Sequence, residues 1–235
     1  MKTVIAIPTY NECKNITLLV PAIFERVPEV HILVVDDNSP DGTSDAVAGL
    51  QKRFKNLSIL KRGGKQGLGK AYIHAFKEIL KDASVDVVVM MDADLSHDPS
   101  YLPLMLSKVR EGGVVIGSRY IKGGGTVGWE LWRRILSSGG NWYCRTITGM
   151  PIKDCTGGFN VMSARALRKL DLDRLGLSGY AFIMGLKHAF FSLGTAFIEV
   201  PIIFTNRKEG ESKISNHIIR EGIIAPWKMR LKKTR

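Results

Sequence analysis

Val85-Asp86-Val87-Val88-Val89-Met90-Met91-Asp92-Ala93-Asp94 decides the fold. Apart from Asp86 it is apolar up to Met91, as a central strand of a parallel sheet is when both faces are buried. It stops at two carboxylates. Ligands of open α/β sheets bind at the carboxyl ends of the strands, so Asp92 and Asp94 stand where chemistry is expected. Two carboxylates at this spacing can give hard oxygen ligands to Mg²⁺ or Mn²⁺ beside a diphosphate. The same residues also read as a solvated turn, with an Asp capping a helix begun by Pro99.

Toward the N-terminus, short Val/Ile runs alternate with helical patterns: Val4 to Ile7, a helix near Asn15 to Arg26, His31 to Val35, a helix near Ser44 to Phe54, Leu57 to Leu60, and a helix over Lys70 to Leu80. Beyond the opening stretch come a helix over Tyr101 to Arg110, a strand at Val114 to Ile116, looser Gly-rich sequence, and a last strand over Phe197 to Phe204. The alternation predicts an α/β fold with a mostly parallel sheet and crossover helices. Three strand ends then share one edge: Asp92-Ala93-Asp94, Pro8-Thr9-Tyr10-Asn11-Glu12, and the acidic run from Val34 to Thr43. Tyr10 could pack on a base, and Glu12 and Asp37 could accept from a nucleoside, although the acidic run also reads as a turn.

Gly64 through Lys70 has the G-x-x-x-x-G-K spacing of a triphosphate loop, but Ala71 stands where its Mg²⁺-binding hydroxyl belongs. A Gly-rich helix N-terminus near a diphosphate, or close packing, fits better. Arg119, Arg133, Arg134, Arg207 and Lys213 recur in the second half. Singly they read as surface charge; beside a metal diphosphate they suit its phosphates.

The 34 Lys and Arg against 22 Asp and Glu leave +12, which predicts attraction to phosphates, nucleic acid or an anionic membrane face. Cys13, Cys144 and Cys155 lack the spacing of a disulfide framework or zinc site, which favours a reducing compartment. The chain opens directly on a strand without a leader, so a cytoplasmic location is expected. Its longest apolar region, Tyr180 to Phe204, is interrupted by Lys187, His188, Glu199 and Pro201, which argues against a membrane span. Near the end, Ile219, Ile223, Trp227 and Leu231 accompany Lys228, Arg230, Lys232, Lys233 and Arg235, with Pro226 expected to interrupt any single helix. This pattern suits peripheral contact with an anionic leaflet, and equally a docked apolar strip with a solvated basic end.

Taken in order, Pro8 through Glu12, Val34 through Thr43, Asp92 through His97, Gly117-Ser118-Arg119-Tyr120, and Arg207 through Lys213 resemble the polyprenyl-phosphate mannosyltransferases. These are inverting family 2 glycosyltransferases related to dolichol-phosphate mannose synthase. The resemblance implies a nucleotide-diphospho-sugar transferase (GT-A, Rossmann-like) fold over a catalytic domain of residues 1–215, followed by a basic segment, 216–235. It implies that Pro8, Tyr10, Glu12, Val35 and Asp37 hold the nucleoside of GDP-mannose. Asp92, Ala93 and Asp94 then stand at the metal, with Asp94 ligating Mg²⁺ or Mn²⁺ and Ser96 assisting. Arg119, Arg133, Ser137, Arg207 and Lys213 surround the donor phosphates and the phosphate of a polyprenyl or dolichyl acceptor. Relatives often carry Gln and Glu where this chain has Ile183 and Gly185, which bears on donor or acceptor preference. Many continue into transmembrane helices; this chain resembles the soluble catalytic-subunit form, which implies a membrane-anchored partner protein, a purely peripheral enzyme, or a shortened form of a longer chain.

The implied chemistry needs little acid–base help. A phosphomonoester has its second pKa near 6, so a lipid phosphate is already a dianionic nucleophile, able to displace the diphosphate at the anomeric carbon with inversion. His97, beside Asp98-Pro99, reads as a loop or capping residue rather than a ligand. Two alternatives stay open: the same transfer from UDP-glucose or another nucleotide sugar, and a non-catalytic nucleotide- or nucleic-acid-binding module, which the interleaved carboxylates disfavour.

Overall fold

The computed structural model describes residues 1–175, 179–206 and 216–231, with side chains throughout except at 179, 180 and 216–219. Arg207 and Lys213 lie outside the described residues, as do Lys232, Lys233 and Arg235 and the side chain of Ile219. The elements are β1 (Thr3–Thr9), α1 (Cys13–Arg26), β2 (His31–Asp36), α2 (Thr43–Gln51), β3 (Leu57–Lys61), α3 (Leu68–Leu80), β4 (Val87–Met90), α4 (Leu102–Lys108), β5 (Val114–Ser118), β6 (Gly125–Val127), α5 (Leu131–Thr148), β7 (Asn160–Ser163), α6 (Ala164–Leu167), α7 (Gly179–Ser192), β8 (Phe197–Pro201), β9 (Ile203–Thr205) and α8 (Asn216–Leu231).

Seven strands form one sheet in the order β3-β2-β1-β4-β7-β5-β8. All neighbours are parallel except at β7, which runs antiparallel to both β4 and β5. The alternation of side chains across each strand feeds two cores. Ile5, Ile7, Val87, Val89 and Met91 pack with Leu19, Ile23, Val47 and Met105 on one face. Val4, Ala6, Val88 and Met90 pack with Tyr72, Phe76, Phe182 and Phe190 on the other. Each fully buried aliphatic side chain contributes about 1.5–3 kcal/mol, which explains why the Val-rich stretch takes the centre. Ala225 and Met229 of α8 belong to the second of these cores.

The expected last strand is two. Ile202 N–H donates to the Ser118 carbonyl and its own carbonyl accepts from Gly125, so the chain leaves the main sheet after Pro201 and pairs as β9 with β6. Pro201 has no N–H to extend the first ladder. β7 was not expected from the pattern, being only four residues long. The helix expected from Tyr101 to Arg110 is α4, preceded by a 3₁₀ turn over Pro99–Tyr101 that Asp98 caps by accepting from Ser100 N–H. The expected break at Pro226 is also absent, since α8 runs through it. Tyr143 of α5 donates its hydroxyl to the Ile223 carbonyl and accepts from Trp227 Nε1, so tertiary bonds support the helix where proline removes one. Among the described residues no helix is long and apolar enough to cross a membrane.

Candidate active site

Thr9 at the end of β1 lies beside Asp36 at the end of β2, and β4 flanks β1 on its other side, so three strand ends open on one edge. Just beyond each, the chain turns through a left-handed residue: Asn11 (φ 60°), Asn38 (φ 58°) and Leu95 (φ 61°). Asparagine tolerates this conformation. Leucine does not, at a cost of roughly 1–2 kcal/mol, so the surrounding structure must impose it. Asp94 Oδ1 accepts from the Ser96 N–H at 3.1 Å and the Ser96 hydroxyl at 2.5 Å. Behind the loop, buried His97 accepts the Asp92 N–H on Nδ1 at 3.0 Å and stacks on Phe159 with centroids 5.0 Å apart. Burial holds the His97 pKa below its ordinary value. His97 is therefore a loop residue, as expected, but a buried one that acts as a neutral brace under Asp92-Ala93-Asp94 rather than as a cap.

The edge opens into a cleft of about 310 Å³. Pro8, Tyr10, Glu12 and Asp37 line one end of it, with Lys65 of the Gly-rich loop 4.4 Å over the Tyr10 ring. Asp37 is ion-paired with Arg62. Its neighbour Asp36 is a scaffold group: it accepts from Thr9 and Ser44 hydroxyls and from the Ser39 N–H and hydroxyl. Burial alone would raise its pKa; these donors outweigh it, and the net shift is downward. Ala93 and both Asp92 and Asp94 line the floor.

The same cleft is lined by Arg119, Trp129, Arg133, Thr156, Gly157 and Phe204. Arg119 is gripped by buried Asp154 through Nε (2.7 Å), Nη2 (2.8 Å) and its backbone N–H (3.0 Å), and Nη2 also reaches the Thr156 hydroxyl at 2.9 Å. Burial would raise the Asp154 pKa, but the Arg119 charge beside it takes it well below the usual carboxylate range. Lys187, fully enclosed on α7, donates to the carbonyls of Asp154 and Gly157 at 2.8 and 2.9 Å, and burial pulls its pKa down to about 8. A Cβ at residue 157 would sit 3.1 Å from the Asp154 carboxylate, so glycine lets this loop close on itself. Arg133 lies over the Trp129 ring at 4.1 Å and donates to Asn206.

Three residues expected at the site do not line the cleft. Val35 is in the core, the Ser96 hydroxyl is committed to Asp94, and Ser137 bonds the Tyr120 hydroxyl at 2.6 Å. Conversely, sequence reasoning missed Asp154, Lys187 and Trp129. Asp154 and Trp129 sit in connecting loops without apolar period, and Lys187 is a charge inside an apolar helix, which read only as an interruption.

Among the described residues there is no cluster of three His, Cys, Asp or Glu that could hold a metal ion; Asp92 and Asp94 line one cleft and could give two hard oxygen ligands to a divalent cation. Such ions are held by one or two carboxylates together with water and substrate phosphates.

A family model described as Glycosyl transferase family 2 matches residues 4–176. Undecaprenyl-phosphate mannosyltransferase of Micrococcus luteus is 40% identical over 224 residues, 95% of this chain and 92% of that protein. Polyprenol monophosphomannose synthase of Mycolicibacterium smegmatis is 40% identical over 233 residues, 97% and 88% respectively. Among solved structures, a Mycobacterium tuberculosis glucosyl-3-phosphoglycerate synthase with UDP superposes with TM-score 0.68 at 16% identity, covering 97% of this chain and 80% of that one. A Pyrobaculum calidifontis mannosyltransferase with GDP-Man and Mn²⁺ gives 0.66 at 18% identity, covering 100% and 65%. These two likenesses bear on the fold, and the α/β architecture with its mostly parallel sheet is shared.

Proposed function

Because this chain belongs to glycosyl transferase family 2, over residues 4–176, we propose that it transfers mannose from GDP-mannose to a polyprenyl phosphate by metal-assisted inverting displacement. The observation that carries this reading is one cleft lined both by two carboxylates, Asp92 and Asp94, and by two guanidinium groups, Arg119 and Arg133. The 40% identity to two polyprenyl-phosphate mannose-forming enzymes supports the sugar and the acceptor class.

Pro8, Tyr10, Glu12 and Asp37 bind the nucleoside in this scheme, with the backbone at Val35 behind them. Asp94 and Asp92 would hold Mg²⁺ or Mn²⁺, with Ser96 orienting Asp94 and Ala93 between the two. The bound ion supplies electrostatic stabilisation of the departing diphosphate. Arg119, fixed by Asp154, and Arg133 orient phosphate oxygens by charge-assisted hydrogen bonds, with Arg207 and Lys213 assigned to the same anions. The acceptor phosphate attacks as a dianion. Buried, neutral His97 is committed to the Asp92 N–H and has no part as a base.

The same reading puts residues 1–215 in the catalytic domain and 216–235 at the cytoplasmic face of a membrane. Direct leaflet contact is supported by α5, whose outward side exposes Leu131, Trp132, Ile135 and Trp142, and by exposed Ile223, Trp227 and Leu231 on α8 beside Lys228 and Arg230. Aromatic and basic residues together suit the interfacial zone. A membrane-anchored partner subunit would use the same face.

The test is label transfer from radiolabelled GDP-mannose to a short polyprenyl phosphate in Mg²⁺, run beside UDP-glucose. Transfer from GDP-mannose that chelator abolishes is the expected result. Transfer from UDP-glucose alone would change the donor, a point on which Ile183 in the cleft wall bears; transfer from neither would overturn the reading.

A further inference from the structure

We infer that the indole N–H of Trp129 donates a hydrogen bond to a phosphate oxygen bound between Arg119 and Arg133. Trp129 follows Gly128, whose φ of +75° turns the chain sharply into α5. Its side chain lines the cleft yet is only 9% exposed. The ring is held on its faces and edge: Arg133 Cζ lies 4.1 Å and Arg119 Cζ 5.6 Å from the centroid, and Phe204 meets it edge-on at 5.5 Å.

Within this enclosure Nε1 is buried and has no acceptor among the described residues. Indole is a donor only, and folded proteins rarely leave such a group unmatched because its lost hydration is not returned. The ring packing that holds Trp129 does nothing for its N–H, which lies in the ring plane. An acceptor that satisfies it approaches in the ring plane, and because Nε1 is closed off from solvent the side chains around that edge move aside to admit it. Two cations on the same ring select a negatively charged acceptor over a neutral one. Trp129 thus has two duties: it holds the guanidinium groups near each other by cation–π attraction, and it offers a directional donor where their charge gathers an anion.

The inference rests on the reading of the cleft as a phosphate site. The anion is either the donor's diphosphate or the acceptor's phosphomonoester, and the experiment separates them. Protein labelled with ¹⁵N in its four tryptophans is titrated in Mg²⁺ first with GDP and, separately, with a short-chain polyprenyl phosphate, while the indole protons are followed by NMR. The Trp129 resonance is the one missing from Trp129→Phe, or, should that variant not fold, the one left by Trp132→Phe, Trp142→Phe and Trp227→Phe, all exposed positions. A downfield shift with one ligand is expected, and that ligand is the source. Trp129→Phe, which keeps a ring for the cations, should weaken binding of the same ligand about tenfold and spare the other. Wild-type affinity for both ligands in Trp129→Phe, or a Trp129 proton that neither ligand moves, would overturn the inference. If wild-type protein transfers mannose and the proton stays still, the inference alone falls; if it binds neither ligand, the phosphate reading falls with it.

Discussion

At the scale of single residues, Arg119 is held in the cleft lining by two charges buried from solvent, Asp154 and Lys187. Asp154 holds Arg119 in place through a buried bidentate pair. Removing one partner of such a pair costs about 3–5 kcal/mol because the other is left buried and uncompensated; Asp154→Asn should lose stability of that order in urea denaturation, together with activity. Lys187 adds a pH signature. Its native pKa of about 8 lies below the ordinary 10.5, so between these values the unfolded chain binds more protons than the native one. Stability contributed by this group therefore rises from pH 8 to 10.5 and is lost as pH falls through 8. Lys187→Met should flatten that limb of the stability curve, read as urea midpoints at pH 7.5 and pH 10 against wild type. On the carboxylate floor, Asp94→Asn should cut turnover on the order of a hundredfold or more, measured by label transfer at saturating donor. Asp92, Asp94, Tyr10, Glu12 and Asp37 were legible in the sequence because strand ends reveal themselves by period. Asp154, Lys187 and Trp129 were not, since their roles depend on contacts between segments far apart in the chain.

Among the elements, the strands of the first half were legible within a residue or two, because apolar runs buried on both faces leave little choice. The antiparallel insertion of β7, the handover from β8 to β9, and the passage of α8 through Pro226 were not, because neighbours decide each. Helix α5 shows why a period alone can mislead. Its inner side carries Asn141, Cys144 and Thr148 into the protein, while large apolar side chains face outward. An ordinary surface helix does the reverse. Replacing Leu131 and Ile135 together by Glu should leave the melting temperature nearly unchanged, since both are more than 60% exposed, yet abolish flotation with anionic liposomes.

For the whole molecule, the excess of 12 positive charges gives membrane attraction a salt dependence. Raising ionic strength from 0.15 to 1 M shortens the Debye length from about 8 to 3 Å, so liposome binding should weaken sharply while transfer to a short, water-soluble acceptor falls far less. Equal losses in both assays would refute leaflet attraction as the role of that charge. The strand order carries a further consequence, for synthesis on the ribosome. Strand β4 is flanked by β1 and β7, and β5 cannot reach it except through β7. The nascent chain therefore holds a Val-Val-Val-Met edge open until Ser163 has emerged, roughly seventy residues after Met90, which at about 5–20 residues per second is on the order of 4–15 s. Through that interval the most adhesive edge of the sheet has no partner of its own, and a chain stalled or cut short before β7 is the form that chaperones must shield.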